Sequence, residues 1–353
     1  MDLCFADSHM HAYAPFDKGQ SGLNLLKKLN VTDANLLAYT YIETGIDNNL
    51  CCLYYKQKCT DVKLRVFGGL YYDADLNNSI MPFKEQAELL LAMGCDGIKF
   101  LDLKPNYQLY CGCTCDDAVY DDLYDMLEEK QVPIVTHVAD PRNFWTDVDV
   151  PEYRKQLGWC YSDPKFLTRK QINDCLLHRL EKNPTMRFQI AHFGFMSDDI
   201  PLCRYILERY PNVTFDLAPG WEILVDFADN IDAWSEFFSE FSGRILYGTD
   251  TDPGTSPEHI TTLNKTIYSL LAYGKDAFPI PVKPDSFMRG MDLPEDKVKQ
   301  IVYDNFFTDF GSSVKALDFD LFKEHSVLIR RIAVKQGNTG ITNTIDEMLN
   351  GLQ

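Results

Sequence analysis

Leu3-Cys4-Phe5-Ala6-Asp7-Ser8-His9-Met10-His11 opens the chain with a short apolar run that ends in two histidines one residue apart. The run predicts a β-strand over Leu3 to Ser8. Strand side chains alternate between faces, so His9 and His11 point the same way at its end. Seven further β-rich runs follow, roughly at Asn35 to Ile42, Leu64 to Tyr71, Asp96 to Leu101, Val132 to His137, Arg187 to His192, Val213 to Leu217 and Arg244 to Asp250.

The segments between these runs carry helix signals. Asp116 to Lys130 has acidic residues in its first turn and Pro133 beyond its end, Thr168 to Lys182 is a second helix, and Pro294 precedes a helical spacing of Val298, Ile301, Val302 and Phe306. Strands alternating with helices predict parallel βαβ units, and eight of them predict an α/β fold, the (β/α)8 TIM barrel. We expect one barrel domain over residues 1–312, with lid insertions near 139–168 and 251–292, the second made partly extended by Pro279, Pro281 and Pro284. A C-terminal helical extension over 313–353 includes a helix near Phe319 to Lys335, and a Gly-Asn-Thr-Gly turn follows it.

Composition narrows the function. Apolar residues make up 45% of the 353-residue chain and charged residues 24%, which fits a globular protein with a sizeable core. A net charge of −18 argues against nucleic acid or an anionic membrane as partner, since both select clustered Lys and Arg. A small-molecule substrate is the expected partner, and a homodimer is compatible with the sequence without being selected by it. Eleven irregularly spaced cysteines and an N-terminus without leader character give the expectation of a cytoplasmic, reducing location.

The chemistry is expected at strand ends, where barrel enzymes place their active sites. Lys99, His137, His192 and Asp250 lie near the C-terminal ends of the fourth, fifth, sixth and eighth runs, each behind apolar residues. The eighth strand of a closed barrel neighbours the first, which brings Asp250 beside His9 and His11. Neutral imidazoles and a carboxylate form a ligand set for Zn²⁺ or a similar divalent ion.

These residues resemble the amidohydrolase superfamily, in particular its compact amidohydrolase-2, decarboxylase-like branch without an extra β-sandwich domain. The resemblance runs from Asp7-Ser8-His9-Met10-His11 through Gly97-Ile98-Lys99, Thr136-His137-Val138-Ala139-Asp140, Ala191-His192-Phe193-Gly194 and Tyr247-Gly248-Thr249-Asp250 to Asp304-Asn305-Phe306-Phe307. It implies that His9, His11, His137 and Asp250 bind a divalent metal, zinc in the first instance with manganese as the alternative, and that His192 is a ligand or a catalytic group. It also gives Lys99 two readings. Carboxylated, Lys99 would bridge two ions; as an ammonium it would repel a second cation, leaving one ion, the expectation we favour.

The implied activity is hydrolysis of a C–N or C–O bond in an amide, lactam, lactone or ester by metal-activated water, with Asp250 as proton acceptor and His192 or Lys99 stabilising the oxyanion. Nonoxidative decarboxylation of an aromatic or unsaturated acid is the alternative within the resemblance, and an inactive metal-bearing binding protein is the alternative from another class. A histidine-rich phosphoesterase barrel would need more than the seven histidines present.

Arg142 is expected to clamp a substrate anion, with Trp145 and Trp221 as pocket walls and Trp159 and Tyr161 completing the lid. Each also has a plain reading, as a loop salt bridge or as packing. Cys111, Cys113 and Cys115 are read as loop thiols, His178, His259 and His325 as structural or solvated, and Glu43 as a solvated loop acid.

Overall fold

The computed structural model describes residues 3–12, 26–40, 45–72, 81–146, 150, 152–219, 221–252, 255–274, 276–280 and 283–352, the side chains of 221 and 283–286 excepted. Eight strands form one sheet in chain order: β1 (Phe5–Met10), β2 (Val31–Leu37), β3 (Lys63–Gly69), β4 (Gly97–Leu103), β5 (Ile134–Val138), β6 (Phe188–Ala191), β7 (Val213–Asp216) and β8 (Ile245–Leu246). Every successive pair is parallel. The residues after β8 rejoin β1: Ser8 N donates to Tyr247 O at 2.9 Å, Asp250 N to His9 O at 2.8 Å and His11 N to Thr251 O at 2.8 Å. The sheet therefore curls round into a (β/α)8 barrel with its helices outside. Gly248 permits the close approach at this seam, since a Cβ there would lie 3.0 Å from the His9 Cβ.

β2 lies earlier than its sequence signal. The aromatic and β-branched residues of Tyr39-Thr40-Tyr41-Ile42 predict a strand, yet pairing begins at Val31, opposite Phe5, and ends at Leu37. Beyond it, side chains replace the ladder: Asn48 Oδ1 accepts from Tyr39 N at 2.7 Å, and the Thr40 hydroxyl donates to Leu70 O. β1 in turn extends to Met10, which sets His9 inside the strand.

The helices follow local chemistry. Thr168 caps Arg169–Lys182 through a reciprocal box with Gln171, and Pro294 introduces Glu295–Lys299, which widens into a π turn at Gln300–Asp304 before Asn305–Phe310. Within the span expected from Asp116, the helix occupies Asp121–Glu129, because Asp117 first closes a turn on Thr114 N at 2.5 Å. The proline-rich stretch forms an antiparallel hairpin, β9 (Ala277–Ile280) with β10 (Lys283–Arg289); Pro281 lies outside the described residues. At the C-terminus, Phe319–Lys335 packs against the helix Phe83–Met93, and Thr339–Gly351 against Asn48–Lys58.

Alternation decides what fills the barrel. Leu37, Phe67, Val135 and Ala191 point inward as a small apolar cluster closed by Phe310. On the same inward faces stand His9, Lys99, His137, Gln189 and Asp216, all buried. The apolar residues facing the helices make the large outer core. An interior carrying this many ionisable groups is justified only where they pair or bind something.

Candidate metal centre at the barrel mouth

His9, His11, Lys99, His137, His192 and Asp250, drawn from five strands and the residues that follow them, line one cavity of about 520 Å³, together with Tyr39, Lys104, Gln156, Leu157 and Trp159. His9 Nε2 lies 3.4 Å and His11 Nε2 3.0 Å from the same oxygen, Oδ1 of Asp250. Three ligands held tetrahedrally at about 2.0 Å from one ion stand about 3.3 Å apart, so this spacing matches a single bound cation. His9 Nε2 is buried and has no hydrogen-bond partner among the described residues.

Each ring is turned by a bond at its other nitrogen. His11 Nδ1 donates to Leu37 O at 2.7 Å, His192 Nδ1 to Ala218 O at 3.0 Å, and His9 Nδ1 meets Asp216 Oδ2 at 2.9 Å. Carbonyl oxygens only accept, so the proton resides on Nδ1 and the Nε2 lone pair is left for an ion. Burial lowers the pKa of His9 well below the ordinary imidazole range and that of His192 to about 4, which keeps both rings neutral at pH 7. The donor set therefore fits a divalent cation.

Backbone conformation aims these groups. His192, Phe193 and Phe195 follow β6 with φ of 54°, 53° and 48°, Asp250 follows β8 with φ 52° and Ala139 follows β5 with φ 55°. Left-handed backbone at non-glycine residues costs on the order of 1–3 kcal/mol each and persists where the surroundings fix it. At Asp250 the fixing group is Asp7, which accepts from Thr249 Oγ1 at 2.6 Å and from His9 N at 3.0 Å.

Lys99 Nζ is buried in the cavity without a hydrogen-bond partner among the described residues, and burial lowers its pKa to about 8. His137 lies beside His192, with ring centroids 4.9 Å apart, while its Nε2 faces Asp140 Oδ1 at 3.1 Å and Lys104 Nζ at 3.3 Å. It stands outside the tight group of His9, His11 and Asp250 ligand atoms. Arg142 is half-exposed and reaches Asp226 at 3.0 Å and Asp198 at 3.6 Å, and Trp145 donates to Leu167 O at 2.8 Å within a small apolar cluster with Phe144 and Tyr161. Neither lines the cavity; Trp159 and Leu157 of the same segment do. The Trp221 side chain and Glu43 lie outside the described residues.

Two buried groups escape the strand-end reading. Asp216 ends β7 and takes four donors: His9 Nδ1 and Gln189 Nε2 on Oδ2 at 2.9 and 2.5 Å, His192 N and Ala218 N on Oδ1 at 2.7 and 3.1 Å. The same strand-end rule, applied to the seventh run, would have found it. Lys104 follows β4, bonds both Asp140 oxygens at 2.8 Å and lies 4.7 Å from the Trp159 ring. Tyr161 completes this network through Asp140 Oδ2 at 2.5 Å. A lone lysine in a loop gives no signal of that kind in sequence.

A barrel with a candidate histidine–aspartate cation site at its mouth fits, as a class, the metal-dependent hydrolase barrels. The family model described as Amidohydrolase matches residues 79–305, more than half of the chain, and the protein belongs to that family. Among solved structures, an amidohydrolase from Staphylococcus aureus is similar at 11% identity and a TM-score of 0.50, over 88% of this chain and 100% of its own. An amidohydrolase from Mycobacterium avium subsp. paratuberculosis K-10 is similar at 11% identity and a TM-score of 0.47, over the same shares. No curated protein matches. Family members typically hold a divalent metal and act on small molecules. No helix among the described residues is long and apolar enough to cross a membrane.

Proposed function

We propose that this protein hydrolyses a C–N or C–O bond of a small molecule at a divalent metal held by His9, His11 and Asp250, with zinc as the ion and with His137 as a further ligand once its Nε2 is released from Lys104 and Asp140. The observation that carries the reading is the convergence of His9 Nε2 and His11 Nε2 on one Asp250 oxygen, with both rings anchored from behind. A bound divalent ion would supply hydroxide near neutral pH and polarise the scissile group.

The chain's own residues divide the remaining work. Asp250, ionised and with about a third of its side chain open to the cavity at 35%, orients the attacking water and accepts its proton. Asp250 then hands that proton to the leaving group, neutral His192 flanks it across the cavity, and the Lys99 ammonium stabilises the oxyanion. Trp159, Leu157 and Tyr39 wall the substrate off from water, and the segment 139–168 acts as a lid on a barrel unit spanning 1–312, with 313–353 as an appendage. Lys99 as an ammonium favours one ion; carboxylated, it would bridge two.

Lys99, a lining cation with no hydrogen-bond partner among the described residues while Lys104 is held by Asp140, favours a substrate with an anionic group and supports a second reading, nonoxidative decarboxylation. The test is elemental analysis of purified wild-type and His9→Ala protein, followed by turnover of candidate substrates in ¹⁸O water. One ion per chain, lost in the variant, and ¹⁸O in one of two fragments support hydrolysis. Carbon dioxide release with no ¹⁸O in the organic product moves the assignment to decarboxylation, and no ion after metal addition sinks both.

A further inference from the structure

At the opposite end of the barrel a second cavity, of about 240 Å³, opens where the strands begin. Arg187 precedes β6, Arg244 precedes β8, and Asp309 sits on the closing helix Asn305–Phe310; Gln189, Thr214 and Asn212 complete the polar lining. Chemistry in these barrels takes place at the other face, so nothing in the proposed reaction uses this cluster.

The two guanidiniums are fixed but underused. Arg187 makes one hydrogen bond among the described residues, from Nη1 to Gln131 O at 3.0 Å, which leaves Nε and Nη2 unfilled. Arg244 is locked from behind, with Nε donating to Val213 O at 2.7 Å and Nη2 to Tyr210 O at 2.6 Å, so Nη1 is unfilled among the described residues. Neither has a carboxylate oxygen within 4.0 Å among the described residues; Asp309 acts on both from farther away. Burial opposes the charge on each arginine, and the Asp309 carboxyl is itself raised to about 6 by burial. Two half-buried cations thus share one distant acid in a chain whose net charge is −18.

We infer that this cavity binds a small oxyanion of the phosphate class, held between the Arg187 and Arg244 guanidiniums. Planar forks with unfilled N–H groups match the oxygens of a tetrahedral anion, and their backbone anchors mean little ordering is left to complete on binding. Gln189 roofs the cavity and donates to Asp216 Oδ2 at 2.5 Å. An ion held here therefore lies one side chain from the His9 anchor.

Isothermal titration calorimetry with inorganic phosphate tests the site on the full chain, using wild type, Arg187→Gln, Arg244→Gln and, to disable the metal centre, His11→Ala. Binding of one phosphate per chain is expected, about tenfold or more weaker in each arginine variant and retained in His11→Ala. Arg187→Gln is the decisive variant, since it gives up a single backbone contact, and Arg187→Lys should restore part of the affinity. Thermal unfolding checks that each variant is folded and that phosphate raises the wild-type midpoint. No binding at millimolar phosphate, affinity unchanged from wild type in both arginine variants, or loss in His11→Ala would overturn the inference, the last by assigning the anion to the metal centre.

Discussion

Asp216→Asn is the substitution that bears most directly on how the histidines are held. Asp216 presents two acceptor oxygens to four donors, two of them backbone N–H groups that cannot change character. An asparagine must keep its single oxygen toward His192 N and Ala218 N and turn its amide toward His9 Nδ1 and Gln189. Gln189 can answer by rotating its own amide, because its Oε1 has no other partner among the described residues. His9 can answer only by moving its proton to Nε2, the nitrogen proposed to bind the ion. Two charge-assisted bonds worth about 1.5–3 kcal/mol each are lost and one neutral bond is regained. The net loss is about 1.5–5.5 kcal/mol, of which the His9 bond's share of about 1.5–3 kcal/mol corresponds to a roughly 10- to 150-fold loss of metal affinity. Competition against a chromophoric chelator gives the affinity, and ¹⁵N spectra of labelled histidine give the tautomer. An unchanged affinity together with an unchanged His9 tautomer would refute the argument.

Further expectations concern the lid and the C-terminal helices. Lys104→Met removes one partner of a buried pair and should destabilise the fold by about 3–5 kcal/mol, whereas Lys104→Met with Asp140→Asn should recover much of that in urea melts; equal losses would mean the pair is not coupled. Trp159→Ala opens the cavity wall, so KM should rise severalfold with kcat little changed, and a kcat defect alone would remove it from substrate contact. His325, buried beside Tyr71 at 3.2 Å, has its pKa lowered to about 4 by burial. Between pH 6.5 and 4 the unfolded chain then binds the extra proton, so stability falls as pH drops through that window, by up to about 3 kcal/mol. His325→Phe should flatten this part of the pH–stability curve relative to wild type, and an unaltered curve would contradict it.

The barrel was legible in the sequence because its signal is repeated: eight apolar runs separated by helix-forming segments allow few other architectures. The strand-end position of His9, His11, Lys99, His137, His192 and Asp250 was legible for the same reason, since a residue closing an apolar run is carried to the mouth wherever the run's exact bounds fall. β2 was misplaced by its C-terminal aromatic residues, because strand propensity reports a fit to a pleated surface and not the register against Phe5 that selects Val31.

Sequence by itself thus determined the number and order of the strands and the residue types gathered at the barrel mouth, since these follow from periodicity along the chain. The tertiary structure alone decided which nitrogen of each histidine faces the cavity, the role of Asp216 behind His9 and His192, the capture of His137 Nε2 by Lys104 and Asp140, and the commitment of Arg142 to Asp198 and Asp226. Those are contacts between residues far apart in the chain, in directions set by closure of the barrel, and no local pattern encodes them.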